Sequence, residues 1–345
     1  MRLLPLLLCA PLFLLIGCHQ VTEYQGGVSS SLIFIRTSDL QVERTMEGFP
    51  GGRTIISHGS NGLTLLSSEG TLHMIDMETL SVDTSYSIGG SSGTGYDDAV
   101  HAGNGNLYVL GPGSQVMEVD LGTSTVKDNF TPGSNPGALA PSPFLPRLYF
   151  VDTADDYIGE IYTGSNATGF ESETYCPLAD VMVEPTGGEY IVAAGANSSG
   201  SLYSIWLSSP STSARRMTVS AGSPCSDIIP MTSDSTFAVS CPRWNSDNGY
   251  LRLFRGYVQP DSTVGPVTVM VEGHPVAMSF NGSSGYAGQL SALSRTDSGN
   301  TAVTVFGFTL SHMDPELEAV IELDGFPRDI ISPGNGEYII VLTSE

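Results

Sequence analysis

From position 32 to the C-terminus the apolar residues follow two patterns. Some form runs of four or five, as in LYVL at 107–110, LYFV at 148–151 and EYIIV at 337–341; others alternate with polar residues at period two. Gly, Pro, Asn, Asp and Ser bound each run. Period-two alternation sends successive side chains to opposite faces of a strand, and short apolar runs between turn residues read as buried strands. No stretch has the spacing of an amphipathic helix, so an all-β chain is expected.

The strands recur in fours. Strands at 54–57, 63–67, 71–76 and 81–88 make a first unit, 50–93, with a hairpin at Met77-Glu78-Thr79. A second unit, 94–132, repeats it, with Leu121-Gly122-Thr123 in the hairpin position. Four more follow at 133–176, 177–219, 220–269 and 270–323; the fifth carries an insertion, PRWNSDNG, and the sixth one around 294–301. The chain stops in a half-unit, 324–345, whose last strand has no following partner, while strands 32–36 and 40–46 at the other end lack a unit of their own. Seven units of about 45 residues match the blades of a β-propeller. The expected fold is therefore a seven-bladed β-propeller of four-stranded antiparallel blades, the last closed by N- and C-terminal strands. One blade buries too little apolar surface to stand alone, and closing the ring removes the open sheet edges.

The Gly-x-Pro entry at Gly48-Phe49-Pro50, Gly273-His274-Pro275 and Gly325-Phe326-Pro327, the Gly-containing turn and the aromatic-plus-β-branched strand resemble the YVTN-type β-propeller repeat over most of residues 32–345, although the Tyr-Val-Thr-Asn core itself is absent. That resemblance implies a binding scaffold and carries little chemistry.

The first 18 residues, MRLLPLLLCAPLFLLIGC, differ from the rest. Arg2 precedes an apolar run from 3 to 16. As a helix this run is too short to span roughly 30 Å of hydrocarbon, and it has the shape of a secretory signal. Its end, Leu15-Ile16-Gly17-Cys18, resembles a bacterial lipobox, which implies cleavage after a signal peptide of residues 1–17 and diacylglycerol and palmitate-type acylation of Cys18. Several acyl chains on one cysteine give stable anchoring. His19 rather than Asp follows Cys18, which in a host with two membranes implies sorting to the outer membrane. Residues 18–31 are polar and Gly/Ser-rich, a short tether between the lipid and the domain at 32–345.

Composition agrees with an exported protein. Thirteen Lys and Arg against 36 Asp and Glu give a net charge of −23, and only Arg215-Arg216 form a basic pair. Neutralising phosphates takes clustered cations, so nucleic acid is excluded as a partner. The expected partners are the membrane, through the lipid, and an envelope protein, glycan or small ligand.

The innermost strand of a propeller blade lines the central channel. Four of these strands open with an aspartate before an apolar pair: Asp98, Asp180, Asp227 and Asp329; the equivalent places elsewhere are near Thr54, Gly137 and Ala277. Two readings follow. Aspartate accepts backbone N–H bonds at turns; alternatively, a crown of carboxylates binds Ca²⁺ or a basic group. The second reading leads to an alternative function, a lactonase- or hydrolase-like propeller enzyme with a metal held at the channel rim. No transition-metal histidine spacing, serine-nucleophile elbow or phosphate loop occurs, so no catalytic residue and no cofactor is assigned. His58 and His101 lie on first strands and are expected near the channel. The acidic turns at 152–156 and 245–249 lack the twelve-residue calcium pattern and read as exposed turns. Cys225 and Cys241 flank the first hairpin of unit five; a disulfide there would close a loop of about 17 residues, worth about 3 kcal/mol in the chain-entropy account. Arg243 and Trp244, in the unit-five insertion, have the composition of an interaction loop.

Overall fold

A computed structural model describes residues 28–345 apart from 59–61, 90–94, 144, 175, 184–189, 199, 207–216, 233–235, 244–245, 256–263, 284–286, 310–313 and 335. The lipobox at Cys18, the Arg215-Arg216 pair and Trp244 lie outside the described residues.

The described chain forms seven four-stranded antiparallel sheets. Six are consecutive in sequence: blades 1 to 6 occupy 52–87, 99–130, 136–173, 178–220, 227–272 and 274–323. Blade 7 draws on both ends of the chain. Its order is Val42–Pro50, Ser29–Arg36, Tyr338–Ser344, Phe326–Ile331. The strand from the N-terminal side pairs with the last strand in continuous register from Ser30↔Ser344 to Arg36↔Tyr338. Ile339, Ile340, Val341 and Leu342 are fully buried in this seam.

The first strand of each of blades 1 to 6, and Phe326–Ile331 in blade 7, form the inner wall and touch one another around the ring. Apolar clusters fill the spaces between neighbouring blades. Leu32, Phe34, Ile55 and Leu63 pack between blades 7 and 1, and Tyr149, Val151, Leu178 and Ile191 between blades 3 and 4. Each blade thus buries its faces against two neighbours, the main favourable term for a repeat too small to fold alone.

Short polar devices hold the hairpins. Asp76 Oδ1 accepts from Glu78 N and Thr79 N at 2.7 and 3.2 Å, and Asp120 Oδ1 accepts from Gly122 N and Thr123 N at 2.9 and 3.1 Å. Asp152 repeats this with Ala154 N and Asp155 N, and its second oxygen accepts from Ser134 N and Asn135 N. Asp152 is fully buried, so the turn at 152–156 is not simply an exposed one. Blade 6 differs from its expected shape as well. Residues 296–300 are a tight turn, and the extra length goes into strands of 9 or 10 residues.

Candidate functional site at the channel mouth

Each inner strand begins with an irregularity in its pairing. The register shifts between Gly52 and Thr54, Pro136 and Leu139, Leu178 and Asp180, Pro275 and Ala277, and Pro327 and Asp329. In blade 2, Asp97 N donates to Leu110 O and Leu110 N donates to Asp98 O, so two residues again oppose one. In blade 5, Ser226 N donates to Ser240 O, and Asp227 pairs with the same residue. A bulge inserts one unpaired residue and re-aims its side chain. The inserted residue is charged or hydroxylated in blades 1, 2, 5 and 7 (Arg53, Asp97, Ser226, Arg328) and small or apolar in the others. All of these face a cavity of about 330 Å³ at the channel mouth.

Directly after the bulge stands the aspartate position, which faces the same cavity. In blade 3 this position is Ala138 rather than Gly137, because Leu139 carries the N–H equivalent to Ile55, Ile228 and Met278. The carboxylates make a shared pattern of bonds. Asp98 accepts from Ala99 N in its own strand at 2.8 Å and from Leu139 N of blade 3 at 3.0 Å. Asp180 accepts from Val181 N at 2.7 Å and from Ile228 N of blade 5 at 3.0 Å. Asp329 accepts from Ile330 N at 2.7 Å, and its other oxygen accepts from Ile55 N and the Thr54 hydroxyl of blade 1, each at 2.7 Å. Asp227 accepts from Met278 N of blade 6 at 2.5 Å.

The equivalent N–H groups number one per blade: Ile55, Ala99, Leu139, Val181, Ile228, Met278 and Ile330. Four aspartates satisfy all seven, because each carboxylate has two oxygens and reaches forward to the next blade. Where no aspartate lies upstream, at Ala99, Val181 and Ile330, the blade's own aspartate supplies the acceptor. Buried backbone donors require such partners.

Protein surrounds the four carboxyls, although each keeps a partial opening to the channel. Burial is the main cause of their raised pKa values. Asp98 is pushed up to about 7, opposed by its bond from Leu139. Asp227 and Asp329 rise to about 6, opposed in Asp227 by a hydrogen bond from Asp180 and in Asp329 by the Ile55 N–H. Asp180 rises well above the ordinary carboxyl range, through burial and then the charge of Asp227. Asp180 and Asp227 are thus hydrogen-bonded to each other, an arrangement that raises Asp180 and lowers Asp227.

The four carboxylates thus meet at one mouth, but their oxygens are committed to backbone donors. Among the described residues, no three His, Cys, Asp or Glu side chains group as metal ligands. His58 lies at the far end of the strand that begins at the mouth; its ring centroid is 5.7 Å from that of His101 in blade 2, and burial holds both below the ordinary histidine value. His58 Nε2 is 2.9 Å from the Thr64 hydroxyl.

The expected Cys225–Cys241 bridge is not formed. Both are free thiols, fully buried in the apolar cluster between blades 4 and 5 beside Met182, Val192 and Phe237. There Cys241 fills apolar packing space, and Cys225 Sγ also donates to Ser223 O at 3.8 Å. Arg243 is exposed, its guanidinium 6.0 Å from the Tyr250 ring centroid.

The two arginines of the mouth, Arg53 and Arg328, were not singled out by the sequence reading. A signal was present, since each immediately precedes the aspartate position of its repeat, in RTII and RDII. Only the bulge turns that position toward the channel.

No protein-family model matches the chain, and no curated protein sequence does either. Solved structures share the fold. The chain is similar to Kuenenia stuttgartiensis hydrazine synthase, with 15% identity and a TM-score of 0.67 over 86% of this chain and 95% of that one. It is also similar to the WD40 repeats of RRP9, with 10% identity and a TM-score of 0.66 over 91% of this chain and 98% of the other. A third similar structure, U3-55K, has 10% identity and a TM-score of 0.65 over 91% and 98%. At these identities the likeness is one of fold.

Proposed function

We propose that the protein is a lipid-anchored binding scaffold of the bacterial cell envelope, a YVTN-like propeller that takes up its ligand at the channel mouth and catalyses no reaction. The observation that carries this reading is the division of labour at the bulges. The aspartates are spent on holding blades together, and the bulge residue is left to differ from blade to blade without cost to the ring. A surface of that kind suits recognition. The metal-dependent alternative needs carboxylate oxygens open to a cation, and those oxygens already accept backbone N–H bonds.

The anchor rests on Leu15-Ile16-Gly17-Cys18 and the polar tether after it. Among the described residues no helix is long and apolar enough to cross a membrane. In a host with two membranes, His19 favours the outer one.

Two experiments test the proposal. Cys18→Ser should move the protein from the membrane pellet to the soluble fraction; unchanged co-sedimentation with lipid would refute the anchor. Capture by the wild-type full chain from detergent-solubilised envelopes should fail when the bulge residues Arg53, Asp97 and Arg328 are replaced together by alanine. Capture that survives the triple replacement would place recognition elsewhere.

A further inference from the structure

We propose that the channel mouth between blades 7 and 1 binds the carboxylate group of a small organic acid through the guanidinium groups of Arg53 and Arg328. This inference rests on the binding-scaffold reading and gives that site a ligand class.

Both arginines occupy the bulge position of adjacent blades and face the same cavity. The chain has only 13 Lys and Arg among 345 residues, and two of them stand here. Arg328 is half-buried, and its Nε donates to Ser344 Oγ at 2.8 Å, which fixes the plane of the guanidinium. Its two terminal nitrogens have no hydrogen-bond partner among the described residues. Burial, and then the like charge of Arg53, hold it below the ordinary arginine value, and the charge of Asp97 opposes them. Two cations held side by side in a recess repel each other; Asp97 offsets part of that repulsion, and an anion seated between the two guanidinium groups relieves more of it. Across the mouth, Gly137 and Ala179 leave the space open, and a volume of about 330 Å³ suits a small molecule.

The charge of the ligand is set by its surroundings. Asp97, Asp98, Asp180, Asp227 and Asp329 face the same cavity, so each added negative charge is penalised. A planar, singly charged carboxylate matches the fork of an arginine at the least repulsion, and a dianionic phosphate is disfavoured. Binding must also strengthen as the aspartates take up protons.

The test is a titration of the full chain in detergent with ¹³C-acetate, followed by NMR line broadening. Acetate has few atoms, so a dissociation constant of about 1 mM is expected. Arg53→Gln/Arg328→Gln should weaken it at least tenfold, and raising the pH from 6 to 8 should weaken wild-type binding severalfold. Inorganic phosphate should bind less tightly than acetate. A thermal transition recorded for each variant separates lost binding from lost folding; should the double variant unfold, Arg53→Gln alone serves, with a smaller but measurable loss. Absence of saturable acetate binding, unchanged affinity in the folded variants, or a preference for phosphate would overturn the inference. Envelope capture that persists while acetate fails to bind would remove this inference and leave the scaffold reading standing.

Discussion

The junction between blades 7 and 1 and the junction between blades 3 and 4 are built differently on the same plan. Both are filled by apolar side chains: Leu32, Phe34, Ile55 and Leu63 in one, Tyr149, Val151, Leu178 and Ile191 in the other. Only the first is also tied by a carboxylate, since Asp329 holds Ile55 N and the Thr54 hydroxyl across the boundary. At the second, Ala138 offers no acceptor, and Val181 N turns to Asp180 in its own strand. Apolar packing is thus common to both junctions. The polar tie is an addition, available wherever the upstream blade has an aspartate to share and missing where it has none.

The largest effect should come from removing what both kinds of junction depend on. Deleting residues 336–345 removes the fully buried strand that joins the two ends of the chain. The truncated protein is expected to show no cooperative transition in calorimetry; an unchanged transition would mean the ring does not need its seam.

Asp329→Ala should come next. It strands two backbone N–H groups and a hydroxyl, which sets a loss of roughly 3 kcal/mol in chemical denaturation. Asp180→Ala should cost less, about 1–2 kcal/mol, because Asp227 also accepts from Ile228 and loses a like-charged neighbour. Equal losses for the two would break the comparison.

Wild-type stability should depend on pH in an unusual direction. Unfolded aspartate titrates near 3.9. In the folded ring Asp98 titrates at about 7, and Asp227 and Asp329 at about 6. The folded chain therefore binds more protons than the unfolded one across that window, so stability falls as pH rises from about 4 to about 7. Below about pH 4 the trend reverses. Asp76 and Asp120 are held low by hydrogen bonds, and their contribution is lost as they protonate. Denaturant midpoints at pH 5 should exceed those at pH 8. The smallest change is expected from Ala138→Asp. The untied junction gains a carboxylate that finds its target N–H already taken, so stability should drop by no more than about 1 kcal/mol; a clear stabilisation would show that Val181 N lacks a full partner.

The blade pattern was legible because strand periodicity and turn residues are local properties. Apolar runs such as LYVL and LYFV fall inside observed strands, Asn106–Gly111 and Arg147–Asp152, and the half-unit at the end did require the strand at 29–36. The aspartates stood out too, as a residue recurring at one place in the repeat. What they bond was not legible, since Asp98 meets Leu139, 41 residues away, only after two blades have packed. The arginines were missed for a related reason: in an unbroken strand the residue before the aspartate faces the opposite side, and the bulge reverses that rule. The cysteine pairing failed because hairpin register brings positions opposite without saying whether their side chains point toward each other or into the core.

The sharing of four carboxylates among seven inner-strand N–H groups is tested most directly by amide hydrogen exchange in Asp98→Ala. Ala99 and Leu139 should lose protection together, at least tenfold, although they belong to different blades, while Ile55, Val181, Ile228, Met278 and Ile330 keep theirs. Full protection at Leu139 with loss confined to Ala99 would contradict the account, because the aspartate would then serve only its own strand.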